Sequence, residues 1–357
     1  MKKGLLLFIA FYCIIGCSHP KPESNWEPVG SGVNNLVLAL ASYNGELYAG
    51  GEFTLAGGKA VNHIARWNGK EWHPVGKGIT QMVLSFVQYN GELYVGGTFD
   101  SAGGLPANSI AKWNGTDWAD VSGGIKGTVS TLCVYNKELY AGGKFDSAGG
   151  KYAHCIARWN GKEWFPVGEA IDSGSYNIIC GLAVYQNNLY ASGTFKAAAG
   201  KKCSNIACWD GKAWTAVGSG ISYPVTAMAD YHNELYVCGI FDTAGGQPAN
   251  YIAKWNGQEW SPVGTGVGKG QFAAIWSMTV YNDNLVIGGL FRNAGEKEAN
   301  YIAKWNGQSW DPVGGGMNSP VHSLGVYNYE LYAGGLFDSV ENKQVNHIAK
   351  WKAPKSQ

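Results

Sequence analysis

HIARWNGKEWHPVGKG, residues 63–78, decides the fold, because the chain writes this stretch again and again. Its first tryptophan recurs as Trp67, Trp113, Trp159, Trp209, Trp255, Trp305 and Trp351. Its second recurs as Trp26, Trp72, Trp118, Trp164, Trp214, Trp260 and Trp310. The steps are 46 residues long, apart from two of 50, and of the 15 tryptophans only Trp276 stands outside the two columns. A fixed period of this length means an array of one supersecondary unit, each copy needing its neighbours to cover its apolar faces.

Composition fits many short strands. Glycine numbers 52, charged residues make up 15% and aromatics 13%. Glycine costs roughly 1 kcal/mol inside a helix, so this content points to strands joined by tight turns. The formal charge is +1, and Lys2 and Lys3 are the only charged residues before Cys17. Beyond Cys17 the chain carries one net negative charge, with no basic stripe to follow a phosphate backbone, which argues against nucleic acid as a partner.

Lys2 and Lys3 precede an apolar run over residues 5–15. That is the layout of a secretory signal, too short to span a bilayer as a mature helix. The run ends Ile14-Ile15-Gly16-Cys17, which resembles the lipobox of bacterial lipoproteins. The resemblance implies a signal peptide over residues 1–17, lipid on Cys17, and an exported protein held to a bacterial membrane, at the outer membrane or cell surface. An ordinary cleaved signal with an incidental cysteine is the alternative. Residues 18–24 then read as a tether, residues 25–351 as the folded body and residues 352–357 as a C-terminal tail. The eight residues after Cys17 reach at most about 29 Å.

Within one repeat, residues 37–43 are apolar and alternating, and Asn44-Gly45 gives a strong hairpin signal. Residues 46–53 return as a second strand, 54–61 read as a loop, 62–67 as a third strand, and 72–75 as a short fourth after the Asn68-Gly69 turn. These are strands A to D. Four antiparallel strands per 46 residues mark a blade of a β-propeller. The double glycines Gly50-Gly51, Gly96-Gly97, Gly142-Gly143, Gly288-Gly289 and Gly334-Gly335, together with the tryptophan after the C–D turn, resemble kelch-type propellers. That superfamily includes the central domain of galactose oxidase. The pair becomes Ser192-Gly193 and Cys238-Gly239 in two blades, and the Gly-Gly-x-Phe and Ile-Ala-x-Trp-Asn-Gly wording departs from ordinary kelch.

The ends predict how the ring shuts. Residues 25–29 are a strand D with no A to C before it, and residues 347–351 a strand C with no D after it. The expected fold is therefore all-β, a seven-bladed β-propeller of four-stranded antiparallel blades. Its N-terminal strand would be the outermost strand of the last blade and hide an open edge.

The tryptophan columns, the phenylalanine column (Phe53 to Phe337) and the tyrosine column (Tyr43 to Tyr327) read as packing, since every blade carries them. Small residues such as Ala39, Ser85 and Gly181 in strand A fit the crowded axis. A ligand site should appear as a departure from the repeat. The D–A and B–C connections share one face and carry the variation, with four-residue insertions within residues 168–178 and 264–274. Trp276 follows the second insertion, in a column that otherwise reads Leu38, Leu84, Ser130, Cys180, Thr226 and His322. It is a platform for a sugar or aromatic group, or else a plug for the gap left by the insertion. His322, Tyr176, Tyr223, Gln271 and Phe272 belong to the same face and complete the candidate ligand-binding set. Arg292 and Glu296 also leave the repeat, as a solvated ion pair would.

Six cysteines remain beyond Cys17, with no CxxC pair and no histidine cluster, which speaks against a zinc site. Cys155 and Cys203 lie in B–C loops of neighbouring blades and form the possible disulfide; Cys133 and Cys180 read as small buried hydrophobes. Three functions fit: a non-catalytic envelope-anchored module binding a glycan, peptide or protein; a structural docking subunit of an envelope complex; or a carbohydrate-active oxidase or lyase. The galactose oxidase copper site needs two tyrosines, two histidines and a cysteine cross-linked to a tyrosine, and no such set can be placed here. Glu169 and Asp172 are a weak acid/base pair. No cofactor and no metal are expected.

Overall fold

Residues 25–169, 171–172, 177–268 and 270–352 are described by the computed structural model. They form seven four-stranded antiparallel blades. In blade 1, strands A to D are Val37–Tyr43, Glu46–Gly51, Ile64–Trp67 and Trp72–Pro74. The inner strands of blades 2 to 7 are Val83–Tyr89, Ile125–Tyr135, Ile178–Tyr185, Val225–Tyr231, Ala274–Tyr281 and Val321–Tyr327. The N-terminal strand Trp26–Pro28 pairs with Ile348–Trp351 and completes blade 7, with Trp26 opposite Trp351.

The two tryptophan columns are buried, apart from the half-buried Trp351. They meet as pairs where strands C and D join or, in blade 7, where the two chain ends meet, with ring centroids 5.1–5.4 Å apart in every blade. Such pairs add roughly 0.5–1.5 kcal/mol beyond the area they bury. Each strand D indole also donates its Nε1–H to a valine carbonyl of the preceding blade: Trp72 to Val29, Trp118 to Val75, Trp164 to Val121, and so on round to Trp26 and Val313. A second set of links runs near the other turns. Tyr43, Tyr89, Tyr135, Tyr185, Tyr231 and Tyr327 each donate a hydroxyl to the A–B turn of the next blade. The tyrosine and phenylalanine columns are buried throughout. Seven hydrophobic clusters, one for each gap between blades, make up the core.

Both glycines of the repeated pair have steric reasons. A methyl group at Gly51 would strike the carbonyl oxygen of Leu36, which is backbone and cannot move aside. At Gly50 it would strike Val83 of the next blade, which is a side chain. The first position therefore tolerates Ser192 and Cys238, while Gly193 and Gly239 retain the second. In blade 4 the Ser192 hydroxyl donates to the carbonyls of Gly181 and Val225.

The segment read as a loop over residues 54–61 is a two-stranded hairpin, Leu55–Ala56 with Lys59–Ala60, and its counterpart recurs in the other blades. The D–A connection pairs onto it through single residues such as Val33 with Ala56 and Ile79 with Ala102. Two-residue strands are too short to leave a periodicity that a sequence reading can find.

Candidate functional site

Strand A carries a β-bulge at an equivalent position in all seven blades, at its second or third residue except in blade 3, where the strand starts earlier and the bulge falls at Ser130. The residue skipped in the pairing is Leu38, Leu84, Ser130, Cys180, Thr226, Trp276 or His322. This is the column that sequence comparison singled out. A bulge leaves its extra residue unpaired and re-aims the side chain, and here it does so on the innermost strand, next to the D–A connections. All seven side chains are half-buried. They form a collar at the axial end of the variable face, apolar at Leu38 and Leu84 and aromatic at Trp276 and His322.

Trp276 and His322 belong to neighbouring blades and stack, with ring centroids 4.3 Å apart and planes 22° from parallel. Burial pushes the His322 imidazole below its ordinary pKa of 6.5, and a hydrogen-bond contribution from the Pro320 backbone opposes this only in part. Burial therefore favours the neutral ring. Its buried Nδ1 has no partner meeting hydrogen-bond geometry.

The other predicted residues sit elsewhere on the same face. Tyr223 is 56% exposed and lines a groove of about 650 Å³ between blades 4 and 5. Gln271 lines a second groove of about 580 Å³ between blades 5 and 6, where the Tyr251 hydroxyl donates to its carbonyl at 3.4 Å. Phe272 is 71% exposed at the neighbouring position. The set thus divides into a collar pair and two inter-blade grooves. Tyr176 and Cys17 lie outside the described residues.

Arg292 is not half of an ion pair with Glu296. Its guanidinium lies 4.3 Å over the Tyr301 ring and donates to Asn300 Oδ1 at 3.0 Å. Cys155 and Cys203 are free thiols, so the bridge considered from the sequence is not formed. Both are buried in one hydrophobic cluster, and Cys155 directs its Sγ–H to the Asn177 carbonyl at 3.5 Å. Burial pushes the thiols of Cys133, Cys180 and Cys203 up to about 11, so they carry little thiolate at neutral pH. Glu169 is exposed, and the side chain of Asp172 lies outside the described residues. Among the described residues no group of three His, Cys, Asp or Glu could hold a metal ion.

What sequence reasoning missed is the inter-blade groove as a repeated feature. Its floor is the residue before strand C, which is left-handed in each blade, as at His63 (φ 66°), Asn205 (φ 62°) and Tyr251 (φ 73°). A column of non-glycine residues at one left-handed position shows no compositional signature, so the sequence offered no signal for it.

Fold and collar together define the class: a closed seven-bladed β-propeller with one variable face. No known protein family matches the chain by sequence, and no curated protein does. Among solved structures, the chain is similar to the extracellular domain of BT4673 from B. thetaiotaomicron (TM-score 0.62, 9% identity). It is also similar to the WD40 β-propeller domain of Doa1 (0.56, 13%) and to YCF48 bound to D1 peptide (0.56, 12%). These alignments cover 92–94% of this chain and 98% of Doa1 and of YCF48. They cover 40% of BT4673, so this chain spans well under half of that protein's domain.

Proposed function

We propose that this protein is a non-catalytic, envelope-anchored binding module that recognises a glycan, peptide or protein through the face carrying the D–A and B–C connections. One observation carries the reading. The departures from a near-invariant repeat converge there, with an off-column tryptophan stacked on a histidine at the inner bulge of adjacent blades. A half-buried aromatic pair where the inner strands of two blades meet suits a flat, partly apolar ligand group. The likeness to YCF48, solved with a peptide bound, supports a binding role for such a ring. The extracellular setting of the BT4673 domain supports an exported location.

The anchor is lipid on Cys17. The first described strand begins where Asn25 accepts a hydrogen bond from the Lys352 backbone, on the face of the A–B and C–D turns. A short tether leaving that face turns the variable face away from the membrane.

A second reading, a docking disc for a protein partner, is favoured by exposed Ile240, Leu336 and Phe272 on the variable face. Glycan and peptide arrays probed with the mature domain and with Trp276→Ala separate the two. Binding to a defined small ligand that Trp276→Ala abolishes supports recognition at the collar; binding only to whole envelope proteins, indifferent to Trp276, supports docking.

A further inference from the structure

Blade 4 breaks the charge pattern of the repeat on the variable face. The residue after the core phenylalanine is aspartate in blades 2, 3, 5 and 7. There Asp100 and Asp242 accept hydrogen bonds of 2.7 Å from Thr80 and Ser222, and Asp338 one of 2.6 Å from Asn318. In blade 4 the residue is Lys196. Blade 6 also has a cation here, but Arg292 is engaged with Tyr301 and Asn300.

A second departure removes a counter-charge. Lys59 pairs with Glu71 at 2.7 Å, and Lys151 with Glu163 at 2.5 Å, across the hairpin and strand D of their blades. The equivalent of these lysines in blade 4 is Lys201, and the acid is replaced by Ala213. Lys202 follows. Blade 4 therefore presents three exposed lysines that make no ion pair among the described residues. Two of them, Lys196 and Lys202, line the groove of about 650 Å³ between blades 4 and 5. Tyr223 stands on the rim, and Ser204, Ser219 and Thr243 line the wall. The acids close in the fold are Asp242, whose carboxylate accepts from Ser222, and Asp172, whose backbone pairs with Ala197.

We propose that this groove binds an acidic sugar chain. Lys196 and Lys202 take the carboxylate or sulfate, the Tyr223 ring stacks on a pyranose, and the short hydroxyls meet those of the sugar. An acidic peptide would use the lysines but has no need of the flat ring beside a hydroxyl-lined wall. The assignment rests on the reading that the variable face binds ligand, and it adds the ligand's chemical class.

The test is titration calorimetry of the mature domain with four probes: an oligogalacturonate, a chondroitin sulfate oligosaccharide, a neutral galacto-oligosaccharide and a poly-glutamate of matched charge. The expected result is binding of an acidic sugar that weakens with added salt. Lys196→Gln and Lys202→Gln should each weaken it about tenfold, the loss of one charge-assisted hydrogen bond. Tyr223→Ala should weaken it while leaving the salt dependence unchanged. The carboxylated and sulfated probes identify the anion. Equal affinity for the neutral sugar, or lysine variants that bind normally, overturns the proposal. So does poly-glutamate binding as tightly and ignoring Tyr223→Ala, which would make the groove an acidic-peptide site. Ligand binding lost in Trp276→Ala but intact in both lysine variants refutes this groove alone. Silence from every probe and from the arrays refutes the binding-module reading as well.

Discussion

The indole of Trp26 donates its Nε1–H to the carbonyl of Val313 at 3.0 Å, joining residues 287 apart in the chain. The bond is equivalent to the one from Trp72 to Val29 at 2.9 Å, which joins residues only 43 apart. The seam of the ring is therefore built like every other blade junction. Only its loop-closure entropy is greater, and that cost grows slowly with length.

Removal of residues 24–30 strips blade 7 of its outer strand and exposes the edge of Ile348–Trp351. The whole ring should melt at lower temperature, and Trp26→Ala alone should cost about 3–5 kcal/mol, as should Trp72→Ala. Calorimetric melts of the three variants check this. An unaltered melt for the deletion would refute closure by the N-terminal strand.

The two glycines of a pair should differ in tolerance. Gly51→Ala meets backbone and should cost more than Gly50→Ala, which meets the Val83 side chain. Overpacking typically costs about 1–3 kcal/mol, and the second glycine belongs at or above the top of that range. Urea midpoints for the two variants, with Gly50→Ser as a copy of blade 4, decide the order.

His322 should make stability pH-dependent. Its folded pKa lies below 6.5, so in the window between the two values the unfolded chain binds more protons than the folded one. Stability contributed by the neutral ring is present above pH 6.5 and is lost as the pH falls toward the folded value. Melts from pH 7.5 to 5 should show this slope in the wild type and a shallower one in His322→Gln.

Trp276 should matter more to ligand than to fold. It is half-buried, whereas Trp72 is 1% exposed. Trp276→Ala should therefore destabilise less than Trp72→Ala while removing ligand-induced quenching of tryptophan fluorescence. A destabilisation equal to that of Trp72→Ala would make Trp276 a packing residue.

Cys17→Ala should shift the full-length protein from the detergent phase to the aqueous phase. In vesicles bearing the lipidated form, a dye on Tyr329→Cys, at an A–B turn and 94% exposed, should be quenched by headgroup-bound quenchers more than one on Phe272→Cys. The reverse order would overturn the proposed orientation.

The chain's own residues determined the ring. Blade number and the split terminal blade follow from counting the copies and reading the first and last of them. Period, strand order and the C–D turn glycine recur from copy to copy, because a repeated unit answers the same packing demand everywhere. The tryptophan, tyrosine and phenylalanine columns were legible as core for that reason. Trp276 and His322 were each visible as departures, yet their stacking was not, because it depends on a bulge that re-aims one residue per blade and on the ring curvature that brings these two side chains to a centroid distance of 4.3 Å. The grooves, the hairpins inside the B–C connections, the free state of Cys155 and Cys203 and the lysines left without acids around Tyr223 likewise emerged only with the tertiary structure. The hairpins are too short to leave a pattern, and the others are relations between blades about 46 residues apart. One-dimensional periodicity records what every blade shares, while a site is made where unlike residues of different blades meet.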